Sequence, residues 1–113
     1  MSKMSLQELL KVQPSPIRTA QSEPILTDDF LANVPEPVAE ALRLRRQFGL
    51  DKYGTVLKSH NGRNPMADAL QETLDLIVYL QQACMEGRPC EPLLALAVQL
   101  AEDILTLKLK ETP

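Results

Sequence analysis

Apolar residues recur at helical spacing in three long segments of the chain, each with a proline in its first turn. The predicted helices cover residues 35–48, 65–86 and 92–110, and glycines mark the expected ends of the first two. Gly49 is expected to stop the first helix, and Gly87, followed by Arg88 and Pro89, the second. No segment alternates apolar and polar residues as a half-buried strand does. The pattern therefore predicts an all-α fold, a small bundle of three main helices.

The first third of the chain lacks a long helical pattern, because four prolines are spaced through residues 1–35. Two short helices are predicted within it. Residues 6–12 follow a capping box formed by Ser5 and Glu8, and residues 28–34 follow Thr27. Helices of this length are unstable alone, so the region either docks or frays. We therefore expect an extended N-terminal arm, residues 1–35, and a helical domain, residues 36–113.

Length and charge narrow the class of protein. The 113 residues suit a single domain, and a net charge of −3 makes a nucleic-acid partner unexpected. No stretch reaches the about 18 apolar residues of a membrane span, and the N-terminus lacks the apolar core of a signal peptide. Cys84 and Cys90 fit neither a disulfide scaffold nor a metal knuckle. We expect a cytoplasmic protein with no membrane contact, in which both thiols are reduced and structural or incidental.

A narrow stripe of polar side chains follows the second long helix at steps of four, three and four residues. It consists of Asp68, Glu72, Asp75 and Tyr79. Apolar residues border it closely, so we expect it to line a groove between packed helices. The three carboxylates repel one another, and Mg²⁺, which takes oxygen ligands, would offset that repulsion. An ion pair with Arg45 or Arg46, or a solvated face, explains the stripe equally well from spacing alone.

The loop before this helix is rich in side chains that bind anions. The candidates for phosphate contact are Lys52, Tyr53, Lys58, His60, Asn61 and Arg63. Arg63 stands beside the start of a helix whose first amides are expected to lack partners, which favours an anion site. Together with the carboxylates, this arrangement suits a nucleotide that carries magnesium. Ordinary turn chemistry at Asn61 and Gly62 is the simpler alternative, and a single histidine is more often a surface residue than a base.

The last helix is apolar over more than half of its circumference, which is more than a chain of this size can cover. The surplus predicts a homo-oligomer interface formed by residues such as Leu94, Val98, Leu105 and Leu109. Coverage by the N-terminal arm is the alternative.

Residues 43–82 resemble a known family. Lys52-Tyr53-Gly54 precedes Glu72-Thr73-Leu74-Asp75 on a helix that continues into an apolar run. This arrangement is similar to that of the all-α nucleoside triphosphate pyrophosphatases, a group that includes the MazG-like enzymes and short phage-borne relatives. The resemblance implies that Glu72 and Asp75 are magnesium ligands of the catalytic site. It also implies cleavage of a nucleoside triphosphate between its α and β phosphates, and assembly as dimers or tetramers.

One part of the family pattern is missing. The family carries a Glu-x-x-Glu on the preceding helix, whereas Glu36 and Glu40 are four residues apart. Asp68 or Glu102 would have to replace the missing ligands. Three functions therefore stay open: a magnesium-dependent nucleotide pyrophosphohydrolase, a protein that binds and sequesters a nucleotide without turnover, and a helical module that binds another protein.

Overall fold

The structure, a computed structural model, describes residues 5–17 and 22–110, with residues 108–110 described by their backbone alone. It contains five helices: α1 (Leu6–Leu10), α2 (Asp28–Ala32), α3 (Glu36–Tyr53), α4 (Pro65–Met85) and α5 (Glu91–Lys110). Within the described ranges there is no strand, and an isolated bridge joins Pro24 to Lys58. The all-α prediction is therefore confirmed. No helix in these ranges has the length and apolar character needed to cross a membrane.

The helix starts are set by local side chains. Ser5 Oγ accepts a hydrogen bond from the Glu8 amide at 3.1 Å, and Thr27 Oγ1 accepts one from the Phe30 amide at the same distance. Both short helices therefore begin where the capping residues predict. Each ends two residues earlier than expected, and α4 and α5 lie within one residue of their predicted bounds.

The prediction that Gly49 ends α3, the first of the three long helices, is wrong. α3 continues for four residues beyond it and ends at Gly54, which has φ +74° and donates its amide to Leu50 O. A glycine inside a helix costs only about 0.5–1 kcal/mol, so the residues that follow can continue the helix. Gly54 is the residue that takes the left-handed conformation needed at a helix end.

The chain forms two compact units. The first, here the α4–α5 unit, is formed within Met1–Gln13 and Asn64–Pro113. In it α4 packs against both α5 and α1. A small buried cluster lies at the centre of this packing and consists of Leu9, Ala67, Leu70 and Ile104. The short α1 therefore docks, and it does so through its buried Leu9.

Backbone contacts hold α1 in place beside the apolar cluster. The Gln71 carboxamide donates to both Leu9 O and Lys11 O, each at 2.9 Å. In turn Gln13 Oε1 accepts a hydrogen bond from the amide of Asn64 at 3.0 Å. The two bonds from Gln71 satisfy carbonyls that a five-residue helix leaves unpaired at its end.

The second unit, here the α3 unit, is Pro14–Arg63 and contains α2 and α3. The Arg46 guanidinium donates to Leu26 O at 2.9 Å and lies 3.3 Å from the Asp28 carboxylate. Two extended stretches of this unit pair through their backbones, with the Ile25 amide donating to Leu57 O at 3.0 Å. The predicted arm, residues 1–35, is thus divided between the two units.

α5 exposes a different set of apolar residues from the predicted interface. Leu105 packs against the buried cluster of its own chain, and Leu94 is half-buried. Val98 is exposed, whereas the side chain of Leu109 lies outside the described residues. Most of the exposed apolar surface comes from Leu93, Leu96, Leu100 and Leu107, together with Val98. A surplus of apolar surface is therefore present on α5, but Leu94 and Leu105, two of the four predicted interface residues, do not supply it.

Candidate functional site

The acidic stripe lies on the side of α4 that faces away from the buried cluster. Asp68 is half-buried, whereas Glu72 and Asp75 are exposed and Tyr79 is 65% exposed. At about 100° per residue, the stripe is opposite to the buried Leu70. The expectation that the stripe lines a groove between packed helices is wrong for a single chain, because no helix of the α4–α5 unit covers Glu72 and Asp75.

No basic group neutralises these two carboxylates within the described chain. Neither Glu72 nor Asp75 has an ion pair or side-chain hydrogen bond to any described residue. The arginines considered as partners contact other groups, since Arg46 binds Leu26 and Asp28. The Arg45 guanidinium lies over the ring of Phe48 on its own helix. The ion-pair explanation of the stripe therefore does not apply to Glu72 and Asp75, whereas their exposure agrees with the other alternative, a solvated face.

Among the described residues, the carboxylates of the stripe do not form a metal site with three protein ligands. In the part of the chain that is described, no three His, Cys, Asp or Glu side chains are grouped as a metal site, so Asp68, Glu72 and Asp75 do not form a three-ligand set. Mg²⁺, however, is commonly held by one or two carboxylates together with waters and substrate phosphates. Glu72 and Asp75, three residues apart on one face of α4, are the two exposed carboxylates of the stripe.

Exposed apolar side chains border the carboxylates on both sides. Leu76 lies on one flank of the stripe and Val78 on the other, about 80° from its centre. A helix face that only meets water would more often carry charged or polar residues at these positions. The outer face of α4 therefore combines unpaired negative charge with apolar borders.

All six predicted phosphate contacts belong to the α3 unit, whereas the carboxylates belong to the α4–α5 unit. Lys52 lies in the last turn of α3, and its Nζ is 5.2 Å from the centroid of the Tyr53 ring and 5.9 Å from that of Phe48. The Arg45 guanidinium is 5.9 Å from the Phe48 centroid. Cations at these distances from aromatic rings form cation–π contacts.

The loop between α3 and α4 uses two of its predicted anion ligands to hold its own shape. Asn61 is buried, and its Oδ1 accepts a hydrogen bond from the Arg63 amide at 3.1 Å. The Arg63 guanidinium donates to Pro14 O at 2.6 Å. His60 is exposed and has φ +52°, a conformation that costs energy in residues other than glycine. Asn61 therefore shows the ordinary turn chemistry that was the simpler alternative, and Arg63 has a structural contact that the sequence pattern did not indicate.

The start of α4 does not offer the anion site that the sequence predicted. The Asn64 side chain accepts hydrogen bonds from the amides of Met66 and Ala67, at 3.0 and 3.2 Å. Pro65, at the first position, has no amide hydrogen. The first amides of this helix are thus already paired and are not open to a phosphate.

Two small cavities beside Gly49 were not indicated by the sequence. One, of about 240 Å³, includes Tyr53 and Lys58 in its wall, and the other, of about 210 Å³, includes Arg45 and Arg46. Both are also lined by Gly49, Val56 and Leu57. A Cβ at position 49 would meet no atom within 4 Å. Apolar residues together with one or two basic residues line each cavity, a combination that suits a small organic anion.

Comparison with known proteins adds no relative. No protein-family model matches the chain, and neither a curated protein nor a solved structure matches it.

Proposed function

We propose that this protein is a magnesium-dependent nucleotide pyrophosphohydrolase that works as a homo-oligomer. The observation that carries the proposal is the pair formed by Glu72 and Asp75. These carboxylates are exposed, lie three residues apart on one face of α4, and lack a basic partner among the described residues. A divalent cation offsets the repulsion of such a pair, and Mg²⁺ is the hard cation that nucleotide phosphates bring with them.

The role of each group follows from its charge and exposure. Glu72 and Asp75 would hold the ion, which when bound supplies polarisation of the phosphoryl oxygens. Within the α3 unit, Lys52 and Lys58 are the proposed phosphate contacts, and the Tyr53 ring, 47% exposed, is the proposed surface for stacking a base. In the proposed reaction, water attacks the α phosphorus and the bond from that phosphorus to the oxygen bridging to the β phosphate breaks. The products are a nucleoside monophosphate and pyrophosphate.

Association of copies is part of the proposal because the carboxylate face of a single chain is open. Leu76 and Val78 beside the stripe, and the leucines on the outer side of α5, are apolar surface that a second copy would bury. A partner packed beside Glu72 would also exclude water from the ion, which strengthens its contacts with the carboxylates.

A second candidate, binding and sequestration of a nucleotide without turnover, is favoured by one observation. The described chain offers two clustered carboxylates for a metal and no group of three. Two ligands can hold an ion that a nucleotide carries, but they fix its position less rigidly than a complete set. Catalysis depends on that position more strongly than binding does.

The test is release of pyrophosphate by the purified full chain. The protein is incubated with Mg²⁺ and each common ribonucleoside and deoxyribonucleoside triphosphate, and monophosphate and pyrophosphate are quantified by ion-exchange chromatography. We expect equal amounts of the two products from at least one nucleotide, and loss of release when Mg²⁺ is removed by chelation.

Variants identify the residues responsible. Glu72→Gln and Asp75→Asn should each abolish release, whereas Glu40→Gln, which removes one exposed carboxylate from α3, should leave it unchanged. Full activity in Glu72→Gln would contradict the proposal. Tight binding with the nucleotide recovered intact would select sequestration. If no nucleotide binds at all, both candidates fail and the helical interaction module is the function left.

A further inference from the structure

The two cysteines are brought together by the turn between α4 and α5. Cys84 lies in the last turn of α4, and Cys90 directly precedes α5. The turn is closed by hydrogen bonds from the Gly87 amide to Cys84 O and from the Arg88 amide to Ala83 O, both 3.0 Å. This pair of bonds is the Schellman motif, and Gly87 has the positive φ (+89°) that the motif requires. The backbone therefore fixes the approach of the two cysteines.

Their sulfur atoms are in direct contact. Cys84 Sγ lies 3.0 Å from Cys90 Sγ, about 1 Å more than the ~2.05 Å of a disulfide bond. Cys90 is buried and its thiol also donates to Leu80 O at 3.4 Å, whereas Cys84 is only half-buried. The Cys84 thiol is thus accessible to a reagent, and the buried Cys90 thiol lies in contact with it. This is the arrangement of an attacking and a resolving cysteine.

We propose that Cys84 and Cys90 form a reversible oxidation site, at which a low-molecular-weight disulfide converts the pair into an intrachain disulfide that clamps the α4–α5 turn. The Cys84 thiolate attacks one sulfur of the reagent RSSR, forming a mixed disulfide and releasing RS⁻. The Cys90 thiolate then attacks Cys84 Sγ and releases the second RS⁻. The protein loses two electrons and two protons, and RSSR becomes two RSH. A dithiol reductant reverses the sequence.

The environment of Cys84 makes the first step slow at neutral pH. The hydrogen bond with Cys90, followed by burial and by the electrostatic influence of Cys90 and Glu91, raises the pKa of the Cys84 thiol to about 11. Because the thiolate is the nucleophile, only a small fraction of Cys84 is reactive near pH 7. The pair therefore stays reduced during brief exposure and is oxidised on prolonged exposure or at higher pH.

The clamp acts on the two longest helices of the α4–α5 unit. A disulfide here closes a loop of only seven residues, yet it prevents the two helix ends from separating in partly unfolded states. Since α1 and α5 both pack on α4 or on its buried cluster, holding this end in place stabilises the whole unit.

The experiment uses the full chain and oxidised glutathione at pH 8. Intact mass, free-thiol titration and thermal unfolding are measured on the wild type and on Cys84→Ser and Cys90→Ser. We expect the wild type to lose two hydrogens in mass without retaining glutathione and to titrate no free thiol. Its unfolding midpoint should rise by roughly 5 °C or more, and dithiothreitol should reverse every change.

The single variants separate an internal bond from other products. Each has one thiol, so each should retain one glutathione or stay reduced, and neither should gain stability. Three results would overturn the proposal. They are stable mixed disulfides on the wild type, disulfide-linked dimers on a non-reducing gel, and two free thiols after prolonged oxidation at pH 9. None of these readouts depends on nucleotide binding.

Discussion

At the residue scale, the sequence predicted only part of the role of Asn64. Its position before Pro65 predicts a helix cap, and the side chain does cap α4. The same geometry means that it occupies the amides of Met66 and Ala67, which excludes the phosphate site expected at this helix start. A cap and an anion site compete for the same donors, and residue identities alone do not decide which of them forms.

Glycines at two positions of α3 lead to opposite stability predictions. Gly49 is helical with open space where a Cβ would lie, whereas Gly54 has φ +74°. We expect Gly49→Ala to raise the free energy of unfolding by about 0.5–1 kcal/mol, because alanine loses less backbone entropy in a helix. Gly54→Ala should lower it, because a side chain is strained in the left-handed region. Urea denaturation of both variants gives the comparison, and a destabilised Gly49→Ala would show that the helix does not pass through Gly49.

α1 is a short element that depends on its surroundings for most of its stability. Five residues cannot hold a helix in water, and the capping residue Ser5 satisfies only the start. Leu9 in the buried cluster and the Gln71 carboxamide on the last carbonyls supply the rest. The sequence predicted that α1 must dock or fray. It could not name the docking site, because Leu9 and Gln71 are 62 residues apart.

The packing of α1 is tested by two neighbouring leucines. Leu9 is fully buried, and Leu10 is 43% exposed. Leu9→Ala should cost about 2–5 kcal/mol of stability through lost contacts and the cavity left behind. Leu10→Ala changes the same atoms on the more exposed side and should cost much less. Chemical denaturation measures both, and equal losses would mean that α1 does not dock as described.

The long helices show where local pattern suffices. Proline and glycine positions predicted both ends of α4 and the start of α5 to within one residue. They did not predict the end of α3, because the helical penalty of a glycine is small enough for the helix to continue through Gly49. The cavities beside Gly49 were missed for the same reason, since a predicted loop has no helix face to line them.

At the scale of the whole molecule, the predicted site is divided. The carboxylates belong to the α4–α5 unit and the phosphate contacts to the α3 unit, and their union around one nucleotide stays a prediction from the sequence. Sequence spacing placed Glu72 and Asp75 on one helix face correctly, because that depends on helical geometry alone. It could not say whether another helix covers them, since that depends on packing between distant segments or between copies.

Self-association is the prediction that belongs to this scale. Leu96 and Leu100 are exposed one turn apart on α5. Replacing both with lysine should dissociate an assembly that buries them, whereas Glu102→Lys, on the polar side of the same helix, should not. Sedimentation velocity over a range of protein concentrations measures the assembly. A wild type that stays monomeric at high concentration would contradict the oligomeric part of the proposed function.

The central claim is that Glu72 and Asp75 hold a magnesium ion carried by a nucleotide, and calorimetry tests it most directly. A non-hydrolysable triphosphate analogue of each base is titrated into the protein with and without Mg²⁺, and into Glu72→Gln/Asp75→Asn. The account predicts binding of at least one analogue that weakens by roughly tenfold or more when either Mg²⁺ or the two carboxylates are removed, because contacts between charged groups contribute about 1.5–3 kcal/mol. Equal affinity in all three conditions, or no binding of any analogue, would contradict it.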